Sequence, residues 1–173
     1  MKKRLCLVAL LFLIPQVAFA QAETSSIKNF LRTNKDFCTG GQPSLEHLQK
    51  LKDEGVRTII NLRVPTEYNA SEEEEMAKKL GLGYYNIPVS SEGPKNEQVA
   101  EFLKITDDEA NRPSFIHCGS AARVGAFWMI RRVLRDKWTL EAAEEEAKKI
   151  GLRDRPKLIE FARKYIKDNS VKK

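Results

Sequence analysis

Apolar and polar positions alternate in blocks along this chain. Short β-branched or aromatic runs at 37–38, 56–62, 84–89 and 114–116 read as strands, and Ile59 and Ile60 make the second apolar enough to be covered on both faces. Between them run segments with helical spacing. Ser44 caps a helix carrying Leu45, Leu48 and Leu51 on one face and ending at Gly55. Further helices are predicted over 71–80, 96–109, 124–134, 139–150 with Thr139 as cap, and from Arg155 or Pro156 to about Lys167. The run Glu72 to Glu75 reads as a solvated face matching the dipole of its helix, and His47 as a surface residue. Strands alternating with helices predict an α/β fold of three layers, with a mostly parallel four- to five-stranded sheet flanked by helices. In such a sheet, ligands bind beyond the carboxyl ends of the strands. The loops there are 63–68, 90–94 and 118–123, and all three are expected to face one pocket.

The first twenty residues have a different pattern. Lys2, Lys3 and Arg4 precede an apolar run broken by Pro15 and Gln16, and Ala18-Phe19-Ala20 is a small-x-small cleavage site. This predicts a Sec-type signal peptide over 1–20, cleaved after Ala20, and a periplasmic or secreted protein with no stable membrane anchor afterwards. Residues 21–35 are expected to be a loose segment from which Ile27, Phe30 and Leu31 pack on the domain, and 36–170 one domain. Cleavage takes three positive charges away, so the formal charge of +6 falls to +3. Acidic and basic residues are interleaved, which argues against nucleic acid as a partner. The mature chain holds two cysteines, Cys38 and Cys118, and two histidines, His47 and His117. No paired cysteine motif accompanies them, so neither a metal nor a cofactor is expected. Cys38 is open to two readings, a disulfide partner for Cys118 or a small buried hydrophobe. A monomer is expected.

The candidate chemistry lies in Ser114-Phe115-Ile116-His117-Cys118-Gly119-Ser120-Ala121-Ala122-Arg123. A buried strand ends in a cysteine, a loop of small residues follows, and an arginine opens an apolar helix. Backbone N–H groups of such a loop, at a helix N-terminus, make an anion pocket. A cysteine there is stabilised as its thiolate. The planar fork of Arg123 can grip two oxygens of a tetrahedral oxyanion. Glu67, on the neighbouring loop with Arg63, is a candidate to orient Arg123 by a salt bridge; its other reading is a surface acid at a helix start.

With Gly41-Gln42-Pro43, Ile60-Asn61-Leu62-Arg63 and Ile87-Pro88-Val89 in order before His117-Cys118, the chain from Phe37 to Ile166 resembles the bacterial dual-specificity-phosphatase-like branch of the protein tyrosine phosphatases. The resemblance implies a metal-free cysteine-dependent phosphatase acting on a phosphorylated protein or small molecule through a phosphocysteine intermediate. It makes Cys118 the nucleophile and Arg123 the phosphate-binding arginine, with loop amides from Gly119, Ser120, Ala121 and Ala122. It makes His117 the residue that helps set the acidity of the thiol.

Four features depart from that pattern. Four residues, not five, separate Cys118 from Arg123. Ala121 stands near a position where glycine is preferred, so a positive φ there costs about 1–2 kcal/mol. Val124 replaces the hydroxyl residue that often follows the arginine. The general acid has no obvious aspartate, and Glu92 is the one acid in the 90–94 loop. A four-residue spacing also resembles the loop of rhodanese sulfurtransferases, which need no general acid. That is the alternative reading, together with a phosphate-binding module without turnover.

Overall fold

A computed structural model describes Thr24 and residues 26–67 and 70–170. The predicted signal peptide and Tyr68 lie outside the described residues. The strands are β1 (Leu31–Arg32), β2 (Phe37–Gly40), β3 (Thr58–Asn61), β4 (Gly83–Asn86) and β5 (Ser114–His117). The helices are α1 (Leu45–Asp53), α2 (Ala70–Lys79), α3 (Asn96–Asp107), α4 (Ala122–Leu134), α5 (Leu140–Ile150) and α6 (Pro156–Ser170), with single 3-10 turns at Pro65–Glu67 and Glu109–Asn111. The sheet order is β1-β2-β5-β3-β4, parallel except for the antiparallel β1.

The period-2 alternation of strand side chains divides the interior into two cores. Phe37, Ile60 and Ile116 point to one face, where they meet Phe102 of α3, Phe127 and Trp128 of α4, Ala147 of α5 and Leu158 of α6. Cys38, Ile59 and Phe115 point to the other, against Leu48 and Leu51 of α1 and Ala77 of α2. The result is the three-layer α/β/α arrangement that the sequence predicts. β5 sits in the middle of the sheet with all four residues buried, so the loop that follows it emerges from the centre of the fold.

Several boundaries differ from expectation. Ile27 and Phe30 pack on the second core as expected, but residues 26–35 are not loose, because β1 pairs with β2 through Leu31–Thr39 and Arg32–Cys38. The strand expected to reach Val89 ends at Asn86, because Pro88 has no N–H to give. The Ile87 and Val89 amides still donate to the Asn61 and Leu62 carbonyls, so the chain stays alongside β3. α3 ends at Asp107, before the predicted 109, and α6 runs on to Ser170. α4 begins at Ala122, two residues before the apolar run that announces it. His47 does more than face solvent. It completes a capping box with Ser44, and its Nε2 lies 2.8 Å from Ser26 Oγ, tying α1 to the N-terminal segment.

Candidate active site

The loop after β5 is held from three directions. Its strand end is fixed by the Cys118 amide donating to Gly40. The Gly119 carbonyl accepts from the Gln42 amide at 3.4 Å, and the Ser120 carbonyl from Asn29 Nδ2 at 3.0 Å. With those carbonyls turned outward, the first N–H groups of α4 are left for an anion, because a helix start has no internal acceptor for them. Ala121 takes the left-handed conformation, φ 67° and ψ 1°, at the N-cap of α4. Its side chain is fully buried, and its carbonyl accepts the first helical bond, from Gly125, at 2.9 Å. The conformation that would favour glycine is therefore present with alanine in place.

Cys118 is 1% exposed at the base of this loop, and Arg123 is 5% exposed one turn above. Arg123 Nη1 and Nη2 donate to Glu67 Oε1 and Oε2 at 2.6 and 2.7 Å, a two-point clasp. Nη1 also reaches the carbonyls of Val89 at 2.8 Å and Leu62 at 3.3 Å, which uses up its donors. The edge left for a ligand is Nε with the second proton of Nη2. A Cβ on Gly119 would lie 3.6 Å from that Nη2, so this edge looks onto the loop. Burial alone would lower the pKa of Arg123, but hydrogen bonds to Glu67 and the neighbouring Cys118 sulfur raise it above its ordinary value. The hydrogen bond from Arg123 in turn holds the Glu67 carboxyl below the usual range.

A second polar group lies behind the nucleophile. His117 is fully buried, and its Nε2 is 2.8 Å from Oε1 of Glu73 on α2, itself only 3% exposed. Glu73 also accepts from Asn61 Nδ2 at 3.2 Å and from Gln42 Nε2. Arg63 donates from Nη1 to Gln42 Oε1 at 2.7 Å and from Nη2 to the Glu67 carbonyl. A continuous belt, His117–Glu73–Gln42–Arg63–Glu67–Arg123, thus connects the residue before the nucleophile to the arginine after it. The sequence reading places His117, Arg63, Glu67 and Arg123 near Cys118, and the structure gathers them. It misplaces Glu73, read there as part of a solvated face. Glu73 lies four residues before Ala77 and seven before Leu80, on the stripe by which α2 faces the sheet. That spacing was the available signal. Asn29 carried no comparable signal, and Gln42 entered only as part of the Gly41-Gln42-Pro43 segment that carries the resemblance.

Glu92 is not brought into this group. Its side chain is 75% exposed and its carboxylate pairs with Lys157 of α6 at 2.5 Å. It lines a groove of about 410 Å³ with Ser91 and residues 154–158. The hydrogen bond from Lys157 holds its carboxyl below the usual range, the wrong direction for a proton donor near neutral pH. The loop carrying it contributes to the site through the Val89 carbonyl at its start.

The disulfide reading of Cys38 is corrected too. Cys38 lies opposite Phe115, and Cys118 is three residues farther along β5, about 10 Å at the strand rise. That exceeds the ~7 Å a disulfide spans. The two thiols are free and belong to opposite faces of the sheet. Burial pushes the Cys38 thiol up to about 12, which leaves it an inert small hydrophobe. Among the described residues, no three His, Cys, Asp or Glu side chains converge as a metal site would require.

The same architecture recurs in known proteins. A putative phosphatase from Shewanella putrefaciens CN-32 superposes with a TM-score of 0.72 at 21% identity, over 84% of this chain and 97% of that one. The core catalytic domain of the PP-IP phosphatase SIW14 from S. cerevisiae gives 0.72 at 23% identity, over 84% and 90%. TpbA from P. aeruginosa gives 0.66 at 19% identity, over 83% and 86%. In sequence, NAD kinase 2, chloroplastic, from Arabidopsis thaliana is 32% identical over 85 residues, 47% of this chain and only 9% of that protein. The family described as "DSP-PTPase phosphatase fused to NAD+ Kinase" matches residues 12–155, the whole of the site included. The chain belongs to this DSP-PTPase phosphatase family.

Proposed function

We propose that this protein hydrolyses phosphomonoesters through a phosphocysteine at Cys118. The observation that carries the reading is the placement of a buried cysteine and a clasped arginine at the two ends of one small-residue loop. The substrate's phosphoryl group sits against the loop amides, with two of its oxygens on the Nε–Nη2 edge of Arg123. The Cys118 thiolate attacks phosphorus, an S–P bond forms and the ester P–O bond breaks. The leaving oxygen takes a proton from solvent water. Water then attacks the phosphocysteine, the S–P bond breaks, and phosphate and thiolate are released with one proton. Glu67 holds Arg123 in plane for both steps. The substrate is a phosphorylated protein or small molecule, met by a monomer in the periplasm or outside the cell, as the N-terminal sequence suggests.

The family match over residues 12–155 favours this reading over sulfur transfer. The test is hydrolysis of p-nitrophenyl phosphate by the reduced mature protein and by Cys118→Ser, with and without orthovanadate. The expected result is turnover by the native protein alone, abolished by vanadate. Equal rates for the two proteins would remove Cys118 from the reaction. Thiosulfate:cyanide transfer without ester hydrolysis would make the site a sulfurtransferase.

A further inference from the structure

The mechanism above leaves a buried carboxylate unused. Glu73 is 3% exposed, and every group that faces it donates: His117 from β5, Asn61 from β3, Gln42 from the turn after β2, and the Tyr84 hydroxyl from β4. Other charged groups on this side of the sheet end, among the described residues, are Glu72, which lines a groove with Glu73, Arg63, which reaches Gln42, and beyond it Glu67 and Arg123. A carboxylate this deep is costly unless it is paired and fully hydrogen-bonded. Here it is both, and its hydrogen-bonding partner on β5 is the histidine bonded through the peptide to the nucleophile.

We propose that Glu73 is a positioning residue of this site, holding the His117 ring so that Nε2 carries a proton and Nδ1 is the free edge. This rests on the reading of Cys118 as nucleophile. The second observation is that edge: His117 Nδ1 is buried and, among the described residues, has no hydrogen-bond partner. One ring nitrogen thus has its proton fixed by a carboxylate, while the other is kept out of water and bound to nothing else. The ring is clamped flat as well, stacked on Phe115 at 5.5 Å and 10°. Glu73 supplies the acceptor that holds Nε2, and the ring it holds belongs to the residue bonded through the peptide to Cys118. Loss of the carboxylate therefore frees the ring from the orientation and tautomer it fixes, and the surroundings of the thiol change with it.

Two measurements test this. In the native protein, long-range ¹H–¹⁵N NMR of the two histidines should show His117 Nε2 bearing a slowly exchanging proton at pH 7. A bare Nε2 would overturn the proposal without any variant being made. Glu73→Gln is then compared with native protein in the rate of Cys118 alkylation by iodoacetamide across pH, read by mass spectrometry. The expected result is an alkylation rate altered by about threefold or more at pH 6 and unchanged at high pH. The Gln change should add nothing in a His117→Asn background. A parallel profile at every pH, or an equal effect in both backgrounds, would make Glu73 merely structural. Alkylation needs no turnover, so an altered profile in a protein that hydrolyses no phosphoester would refute the phosphatase reading and leave the positioning role standing.

Discussion

Gly151 offers the sharpest test of how the loop is held. It follows α5, far from Cys118 in sequence, with φ +141°. A Cβ there would sit 2.9 Å from the Ser120 carbonyl oxygen and 3.3 Å from the Ala121 side chain. Gly151→Ala therefore carries two costs. The backbone conformation is strained for any L side chain, about 1–3 kcal/mol, offset by about 0.4–1 kcal/mol from the stiffer unfolded chain. The methyl group must also push the Ser120 carbonyl back by a few tenths of an ångström. That carbonyl is bonded to Asn29, and its displacement turns the loop amides.

The net expectation is a loss of roughly 2 kcal/mol, or about 4–8 °C in melting temperature for a chain of this size. A fall in kcat/KM of on the order of tenfold to a hundredfold accompanies it, since misplacement by up to 1 Å at a reacting centre carries a penalty of that size. Gly55→Ala is the control. It also has positive φ, +90°, but nothing lies within 4 Å of the added carbon. It should lose about 1–2 kcal/mol from backbone strain alone and leave kcat/KM unchanged. The assays are thermal unfolding and p-nitrophenyl phosphate kinetics well below the melting temperature. If Gly151→Ala loses stability like Gly55→Ala yet keeps native kcat/KM, the contact with Ser120 does not set the loop and the reasoning fails.

Glu67→Gln removes the charge from the clasp on Arg123 and should lower kcat/KM by on the order of tenfold or more with little change in fold. The carboxyl of Glu67 lies below its ordinary value of 4.5 in the folded protein, so its contribution to stability is present above that pH and lost as pH falls through the lower folded value. The stability gap between native protein and Glu67→Gln should accordingly close in acid unfolding below pH 4.5; a gap that widens there would reverse the sign of the argument. Glu92→Gln should change the hydrolysis of alkyl and aryl phosphates equally and by less than about twofold, since its carboxylate is spent on Lys157. A selective loss on alkyl phosphates would restore Glu92 as the general acid.

Much of this was legible from local pattern. The central strands are β-branched or aromatic runs buried on both faces, and α4 is an apolar run opened by a small-residue loop, so the strand–loop–helix unit around Cys118 can be read directly. Glu67 was also within reach, because it sits on a loop at the end of the strand beside β5. β1 was not legible, since Leu31 and Arg32 are strand only by pairing with Thr39 and Cys38. Glu92 is the one acid of its loop, and elimination by sequence cannot see that Lys157, sixty-five residues on, turns it away. Glu73 was hidden by its company. Four consecutive glutamates look alike in composition, and only the turn of α2 decides which one enters the sheet.

Ala121 shows why the loop cannot be judged apart from its surroundings. In isolation a left-handed alanine costs about 1–2 kcal/mol, enough to make a four-residue spacing look like a defect. In the folded chain its methyl group is fully buried and faces Gly151. Its carbonyl starts α4, and the two residues before it are pinned by Asn29 and Gln42. Each restraint comes from a segment distant in sequence: the N-terminal turn, the end of β2, the end of α5. The shape of the anion pocket is thus a tertiary property. A substitution at Asn29 or Gly151, neither of which need touch substrate, should act on the reaction through the same carbonyl of Ser120.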